Sequence, residues 1–254
     1  MKRIDLNCDL GESFGTWHMG DDDALLALIS SANIACGFHA GDPVIMRRTV
    51  EQAVNHGVAI GAHVSLPDLQ GFGRREMSVS ADEVQAMTLY QVGALHAFAQ
   101  AAGTRLAHVK PHGALYNMAA SDRSLADAIA RAVQAFDPQL RLFGLAGSAL
   151  IDAARAIGLP VAAEAFADRR YLADGSLQSR REAGAVIDDA SAATAQAIGI
   201  ARDGVVQAAD GQRIKLHADT LCLHGDGAHA VALARQLREA LERAGLHIAA
   251  PGAA

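Results

Sequence analysis

"RIDLNCDLGES", residues 3–13, reads as a short strand that ends in acids. Ile4 and Leu6 alternate with Asp5 and Asn7, the period of an extended chain. The run stops at Asp9, Gly11 and Glu12. The same pattern returns along the chain. ANIAC (32–36) runs into GFHAGDP, VAIGAH (58–63) into VSLPD and then GFGRR (71–75), and LAHVK (106–110) into PHGALYN. PVAAEAF (160–166) runs into ADRRY, and TLCLH (220–224) into GDG. With LRLFGLA (140–146) there are seven strand candidates, and six end in His, Asp, Glu, Lys or Arg mixed with Gly.

Between most of these strands lie Ala-rich stretches with helical spacing. DPVIMRRTVEQAVNHG and SADEVQAMTLYQVGALHAFAQAAG are examples, each closed by a glycine suited to end a helix. Asp42 followed by Pro43 fits an N-cap with proline in the first turn. Alternation of apolar strands with helices implies a parallel sheet, and this many units implies an α/β barrel. One break, VVQAADGQRIKLH (205–217), reads as a hairpin around Asp210-Gly211 inserted before the last strand. The expected organisation is one barrel domain spanning 1–254. All strand carboxyl ends of such a barrel share one rim, and that rim carries the chemistry. The acids that follow the first strand then belong to a site shared by six strand ends.

The totals exclude several functions. Net charge is -6 with no basic stripe, which argues against nucleic acid as partner. No apolar run reaches the length of a membrane span. The first residues, MKRIDLNCDLGE, lack the apolar core of a signal peptide. Cys8, Cys36 and Cys222 are odd in number, far apart and without a CxxC pair, as expected of reduced thiols in a cytoplasm. There is no GxxxxGK[ST] and no GxGxxG phosphate cradle.

Each candidate residue has a structural alternative. Asp9 and Glu12 serve either chemistry or the capping of the next helix. His39, His63, His112 and His224 each stand at or just beyond a strand end, as rim groups or as satisfied histidines beside the core. Asp9, His39 and His63 would suit a divalent metal, whose usual ligands are carboxylate and imidazole. Cys8 is a nucleophile candidate only with a histidine at hand. Lys110 is one of only three lysines and stands at a strand end, where an ammonium suits a phosphate or carboxylate. Arg74, Arg75, Arg169 and Arg170 are further anion-binding candidates, with one of each adjacent pair expected to point inward. The polar stretch 162–187 is expected to form a long loop on the active rim.

Taken together, DLNCDLGES, SANIACGFHAGDP, IGAHVSLPD, GFGRR, VKPHGALYN, EAFADRRY, DGSL with a following Arg and GAVI, and LCLHGD resemble the signatures of the LamB/YcsF family. The resemblance runs from residue 4 to about 245. It departs at AHVSLPD, where the family commonly carries proline and an aromatic in place of Val64 and Leu66. It implies an irregular seven-stranded (β/α) barrel, similar to the glycoside hydrolase/deacetylase fold. It also implies cleavage of 5-oxoproline to L-glutamate with hydrolysis of ATP, magnesium being the nucleotide's counterion, alongside subunits B and C. The alternative reading is a metal-dependent amide or N-acetyl hydrolase.

The expected catalytic set is Asp9, Glu12, His39, His63, Lys110, His112 and Asp168. The expected substrate- or phosphate-binding set is Asn7, Arg74, Arg169, Arg180 and His224. Asp9→Asn and Lys110→Met are expected to keep the fold and lose activity, since both residues lie at strand ends. A partner-binding apolar patch is expected beside the rim, edged by the loop 166–184 and the hairpin 205–217.

Overall fold

A computed structural model describes residues 2–180, 182–223 and 230–252. Ten strands carry the architecture. They are β1 (Lys2–Leu10), β2 (Ser31–Ala35), β3 (Ala59–Val64), β4 (His108–Pro111), β5 (Arg141–Leu145), β6 (Val161–Phe166), β7 (Val205–Gln207), β8 (Arg213–Lys215), β9 (Thr220–Leu223) and β10 (Leu246–Ile248). The helices are α1 (Asp22–Leu26), α2 (Pro43–Asn55), α3 (Ala81–Ala101), α4 (Gly113–Ser121), α5 (Arg123–Phe136), α6 (Ala149–Ala156), α7 (Ala190–Ile198) and α8 (Ala230–Arg243). Strands β1 to β6 run in sequence order, and β9 closes the barrel by pairing with both β6 and β1, all in parallel. This is the expected seven-stranded (β/α) barrel. β7 and β8 form the expected antiparallel hairpin. β10, not anticipated from sequence, pairs with the first residues of β1, Lys2 against Leu246.

Local signals act as read. Asp42 accepts from Val44 N and Ile45 N at 2.8 and 3.0 Å, with Pro43 opening α2. Ser80 and Glu83 form a capping box at the start of α3. The helix after β1 is capped by Asp21, which accepts from Ala24 N, so neither Asp9 nor Glu12 is spent on it. Val64 and Leu66, where the chain departs from the family pattern, are fully buried.

The barrel interior is polar. Strand alternation turns Leu6, Cys8 and Leu10 toward the helices. It turns Asp5, Asn7 and Asp9 inward, where they meet Ser31, Asn33, Lys110, Glu164 and Thr220. Gly61 belongs to this arrangement: a Cβ there would overlap the His108 ring, which stacks on Phe143 at 4.1 Å. At the amino end of the column Asp5 accepts from Ser30 Oγ and Ser31 Oγ at 2.6 and 2.8 Å and from Thr220 Oγ1 at 2.6 Å.

Burial outweighs these bonds and raises the Asp5 pKa to about 6. The folded state therefore binds a proton that the unfolded chain releases between about pH 4 and 6. Stability from this group is complete below pH 4 and falls as pH rises through 6. At about 1.4 kcal/mol per pKa unit, the loss is about 3 kcal/mol. Denaturant titrations of wild type and Asp5→Asn at pH 4.5 and 7.5 should therefore show the wild type losing ground to the variant at the higher pH. A pH-independent difference would refute the assignment.

Candidate active site

The carboxyl ends of β1 to β4 bring the acids and imidazoles together. Strand register sets Asp9 beside Asn33 and His63 beside Lys110. Lys110 is 2% exposed. Its Nζ donates to Asp9 Oδ1 at 2.9 Å and Asn7 Oδ1 at 3.1 Å, and lies 2.8 Å from Glu164 Oε1 and 3.1 Å from Cys222 Sγ. Burial alone would lower the Lys110 pKa, but the charges of Asp9 and Glu164 outweigh it and hold the pKa well above the usual lysine range. Asn33 Nδ2 donates to the same Asp9 oxygen at 2.9 Å. The other carboxylate oxygen, Asp9 Oδ2, lies 3.3 Å from His63 Nε2.

The histidines are oriented by backbone. His63 Nδ1 donates to Lys110 O at 3.0 Å, and His112 Nε2 donates to Phe72 O at 2.9 Å. A carbonyl only accepts, so these two nitrogens carry the hydrogens. The remaining nitrogens, His63 Nε2 and His112 Nδ1, face each other at 2.9 Å. With both rings neutral, two lone pairs converge there, and only a proton or a cation resolves the clash. His39 stacks on His112 with ring centroids 3.8 Å apart and reaches Glu12 Oε1 through Nε2 at 3.1 Å. His112 Nδ1 lies 3.6 Å from the same Glu12 oxygen. Burial holds the pKa of both His39 and His112 well below the usual histidine range.

The loop after β3 completes this wall. Phe72, whose carbonyl fixes His112, has φ 54, a backbone strain for a residue with a side chain. Gly113, with φ +57, packs against the Gly73 carbonyl where a Cβ has no room.

Glu12, His39, His63 and His112 form a group whose ligand atoms lie within 4.8 Å of one another, a set able to hold a divalent ion. The set differs from the one anticipated: Glu12 and His112 join His39 and His63, while Asp9 Oδ1 is engaged by Lys110 and Asn33.

Asp9, Glu12, His63, Lys110 and His112 line a cavity of about 730 Å³, whose lining also includes Ser148, Arg169, Gln178 and Arg180. A second cavity of about 510 Å³ is lined by Glu12, Phe14, Trp17, His39, Phe72 and Arg74. Glu12 and Arg74 border both. Of the adjacent arginines, Arg169 is buried and Arg170 exposed; Arg74 borders the cavities while Arg75 pairs with Asp68. Asp168 is buried but lines neither cavity. Asn7 sits in the barrel interior, donating to Glu164 and Thr220 at 2.9 and 2.6 Å. His224 lies outside the described residues.

Sequence reasoning overlooked Glu164, Asn33, His108 and Thr220. The available signal was a polar residue at an inward strand position, clearest for Glu164 among the alanines of VAAEAF.

The exposed large apolar side chains include Leu172 and Val186 in the long loop, but none from the hairpin 205–217. Trp17 and Tyr90 are exposed aromatics, at 65% and 66%. Cys8, Cys36 and Cys222 are buried and free. Among the described residues no helix is long and apolar enough to cross a membrane.

Fold and site define a parallel (β/α)-barrel protein with an acid and imidazole cluster at the carboxyl rim. The fold is shared with a T48 deacetylase, at TM-score 0.51 and 15% identity over 97% of this chain and 87% of that one. The chain belongs to the LamB/YcsF family, whose profile matches residues 4–254. Similar proteins include the A subunit of 5-oxoprolinase from Tolumonas auensis, 58% identical over 98% of this chain and 100% of that one. The A subunit of 5-oxoprolinase from Bordetella pertussis is 59% identical over 97% and 98%. The solved structure of a lactam utilization protein from Thermus thermophilus superposes with TM-score 0.93 and 49% identity, covering 98% and 100%.

Proposed function

We propose that this chain is the A subunit of a cytoplasmic 5-oxoprolinase, one catalytic barrel that works with subunits B and C. The reaction opens 5-oxoproline to L-glutamate while ATP, with magnesium, is hydrolysed to ADP and phosphate. The observation that carries this reading is an acid and imidazole cluster that shares one cavity with basic residues, in a chain nearly all of which aligns with proteins of that name.

A five-membered lactam is a stabilised amide, and water attacks it poorly. Transfer of the terminal phosphoryl group of ATP to the lactam oxygen makes the ring carbon electrophilic. Water then adds to that carbon and loses a proton to a base. The C–N bond breaks as the nitrogen takes a proton, which leaves an acyl phosphate, and a second water cleaves that to glutamate and phosphate. Asp9 and Glu12 border the cavity and are of the right class for the base. The Lys110 ammonium is already held by Asp9, Asn7 and Glu164 within 3.1 Å, so its part is to hold Asp9 in place. The arginines remain as the cations for anionic groups. A divalent ion held by Glu12, His39, His63 and His112 would polarise a carbonyl or phosphoryl oxygen.

That donor set also favours a second reading, a metal-dependent amide or N-acetyl hydrolase. One experiment separates them: glutamate release from 5-oxoproline by the chain alone and with subunits B and C, with and without ATP and magnesium, beside elemental analysis of the purified protein. Glutamate should appear only with ATP and partners present. Full ATP-coupled turnover by the isolated chain would remove the need for partners. Hydrolysis of an N-acetylated substrate without ATP would establish the second reading.

A further inference from the structure

The connection from β6 to α7 is folded on itself. Arg169 bridges Val186, Arg170 N donates to Ala185 O at 3.0 Å, and Ile187 N donates to Asp168 O at 2.8 Å. Fully buried Tyr171 accepts from Phe166 N through its hydroxyl at 2.7 Å. From α7, Gln196 Nε2 reaches the carbonyls of Phe166, Ala167 and Arg169 at 3.0, 3.1 and 2.8 Å. These bonds fix the Arg169 backbone without help from any ligand, a preorganised mount for its side chain.

The side chain itself is under-used. Arg169 is 6% exposed and lines the large cavity. Among the described residues its guanidinium makes one hydrogen bond, Nη2 to Gln178 O at 2.7 Å, and Nε is buried with no partner. A guanidinium offers five donors. Burial lowers its pKa to about 10, and the charge of Arg180, which lines the same cavity, adds to that, while Asp168 works in the opposite direction. An anion at this end of the cavity would offset the repulsion between the two guanidinium groups and take up the unused donors of Arg169.

Asp9, Glu12, His63 and His112 line the same cavity from the ends of β1, β3 and β4, whereas Arg169 and Arg180 enter it from the connection after β6. In an acidic lactam the carbonyl and the carboxylate stand on opposite sides of the ring nitrogen. A carbonyl turned toward the acids and imidazoles directs the carboxylate away from them, and Arg169 is a lining cation with donors to receive it. A phosphoryl group transferred to the carbonyl oxygen would sit with the acids and imidazoles, which leaves Arg169 for the carboxylate. A planar fork matches a carboxylate with two parallel hydrogen bonds.

We propose that Arg169 is the specificity-determining residue of this cavity and binds the carboxylate of an acidic lactam, with Arg180 beside it. The inference rests on the reading of 5-oxoproline as substrate.

The test uses the complex with subunits B and C, 5-oxoproline as substrate, and 2-pyrrolidinone, the same ring without the carboxylate, as competing probe. In Arg169→Met, kcat/KM for 5-oxoproline should fall on the order of 100-fold, mostly through KM, while the inhibition constant of 2-pyrrolidinone moves less than about threefold. Arg169→Lys, which keeps the charge and loses the fork, should raise KM by a smaller factor. It also carries the test if the methionine variant does not fold. An unchanged KM in either variant, or equal losses for acid and neutral lactam, overturns the proposal. Calorimetric binding of both lactams to the wild-type chain separates the two readings. Absence of ATP-coupled turnover in the wild-type complex refutes the proposed reaction, whereas equal affinity for acid and neutral lactam refutes the role of Arg169.

Discussion

Asp9→Asn is expected to reduce ATP-coupled glutamate release on the order of 100-fold or more, the typical cost of losing a proton-transferring group. The substitution is close to isosteric. Asn keeps an oxygen for Lys110 and for Asn33, which now donate to Asp9 Oδ1 at 2.9 Å each. What it removes is the charge, and with it the acceptor character of Oδ2, the oxygen 3.3 Å from His63 Nε2. Lys110 retains Glu164 at 2.8 Å, so its charge stays balanced and the fold holds. The check is steady-state turnover beside a thermal melt. A variant that melts normally and keeps more than about a tenth of wild-type turnover takes Asp9 out of the proton-transfer role.

The second large effect is on stability. Placement at a strand end implied that Lys110→Met would leave the fold untouched, but the structure points the other way. The ammonium is buried between two carboxylates, Asp9 and Glu164, of which Glu164 is fully buried. Removing one partner of a buried ion pair leaves uncompensated charge, at a cost of about 3–5 kcal/mol. Urea unfolding of Lys110→Met should show a loss of that size. The double variant Lys110→Met/Glu164→Gln should recover part of it, because the stranded charge goes too; a coupling energy near zero between the two sites would show that Lys110 is not held as described. Activity falls with stability here, so the double-mutant cycle is the readout that isolates the ion cluster.

The strand–helix alternation, the hairpin at Asp210-Gly211 and the α2 cap at Asp42-Pro43 were legible in the chain because each rests on neighbours a few residues apart. Barrel closure followed from the number of units, and the rim from the recurrence of acids, imidazoles and glycines after each strand. From these alone Asp9, Glu12, His39, His63 and His112 could be placed in one neighbourhood, as they are. The roles of Asn7 and Lys110 could not. In DLNCD the polar residues alternate with apolar ones, a pattern that in an open sheet puts the polar face in water. In a closed barrel the outer face is covered by helices, so the apolar residues go out and the polar ones in.

Only closure brings Glu164 on β6 and Cys222 on β9 to the Lys110 ammonium, across long stretches of intervening chain. The exchange of Asp9 for Glu12 and His112 in the candidate metal set has the same origin. A carboxylate at a strand end has several claimants, and which wins depends on the neighbouring strands. The chain itself determined which residue types gather at the rim. Tertiary structure decided which of them neutralise one another in the interior and which, like Arg169, are left facing the cavity with hydrogen-bonding capacity unspent, because that balance is set by distances between strands that sequence does not contain.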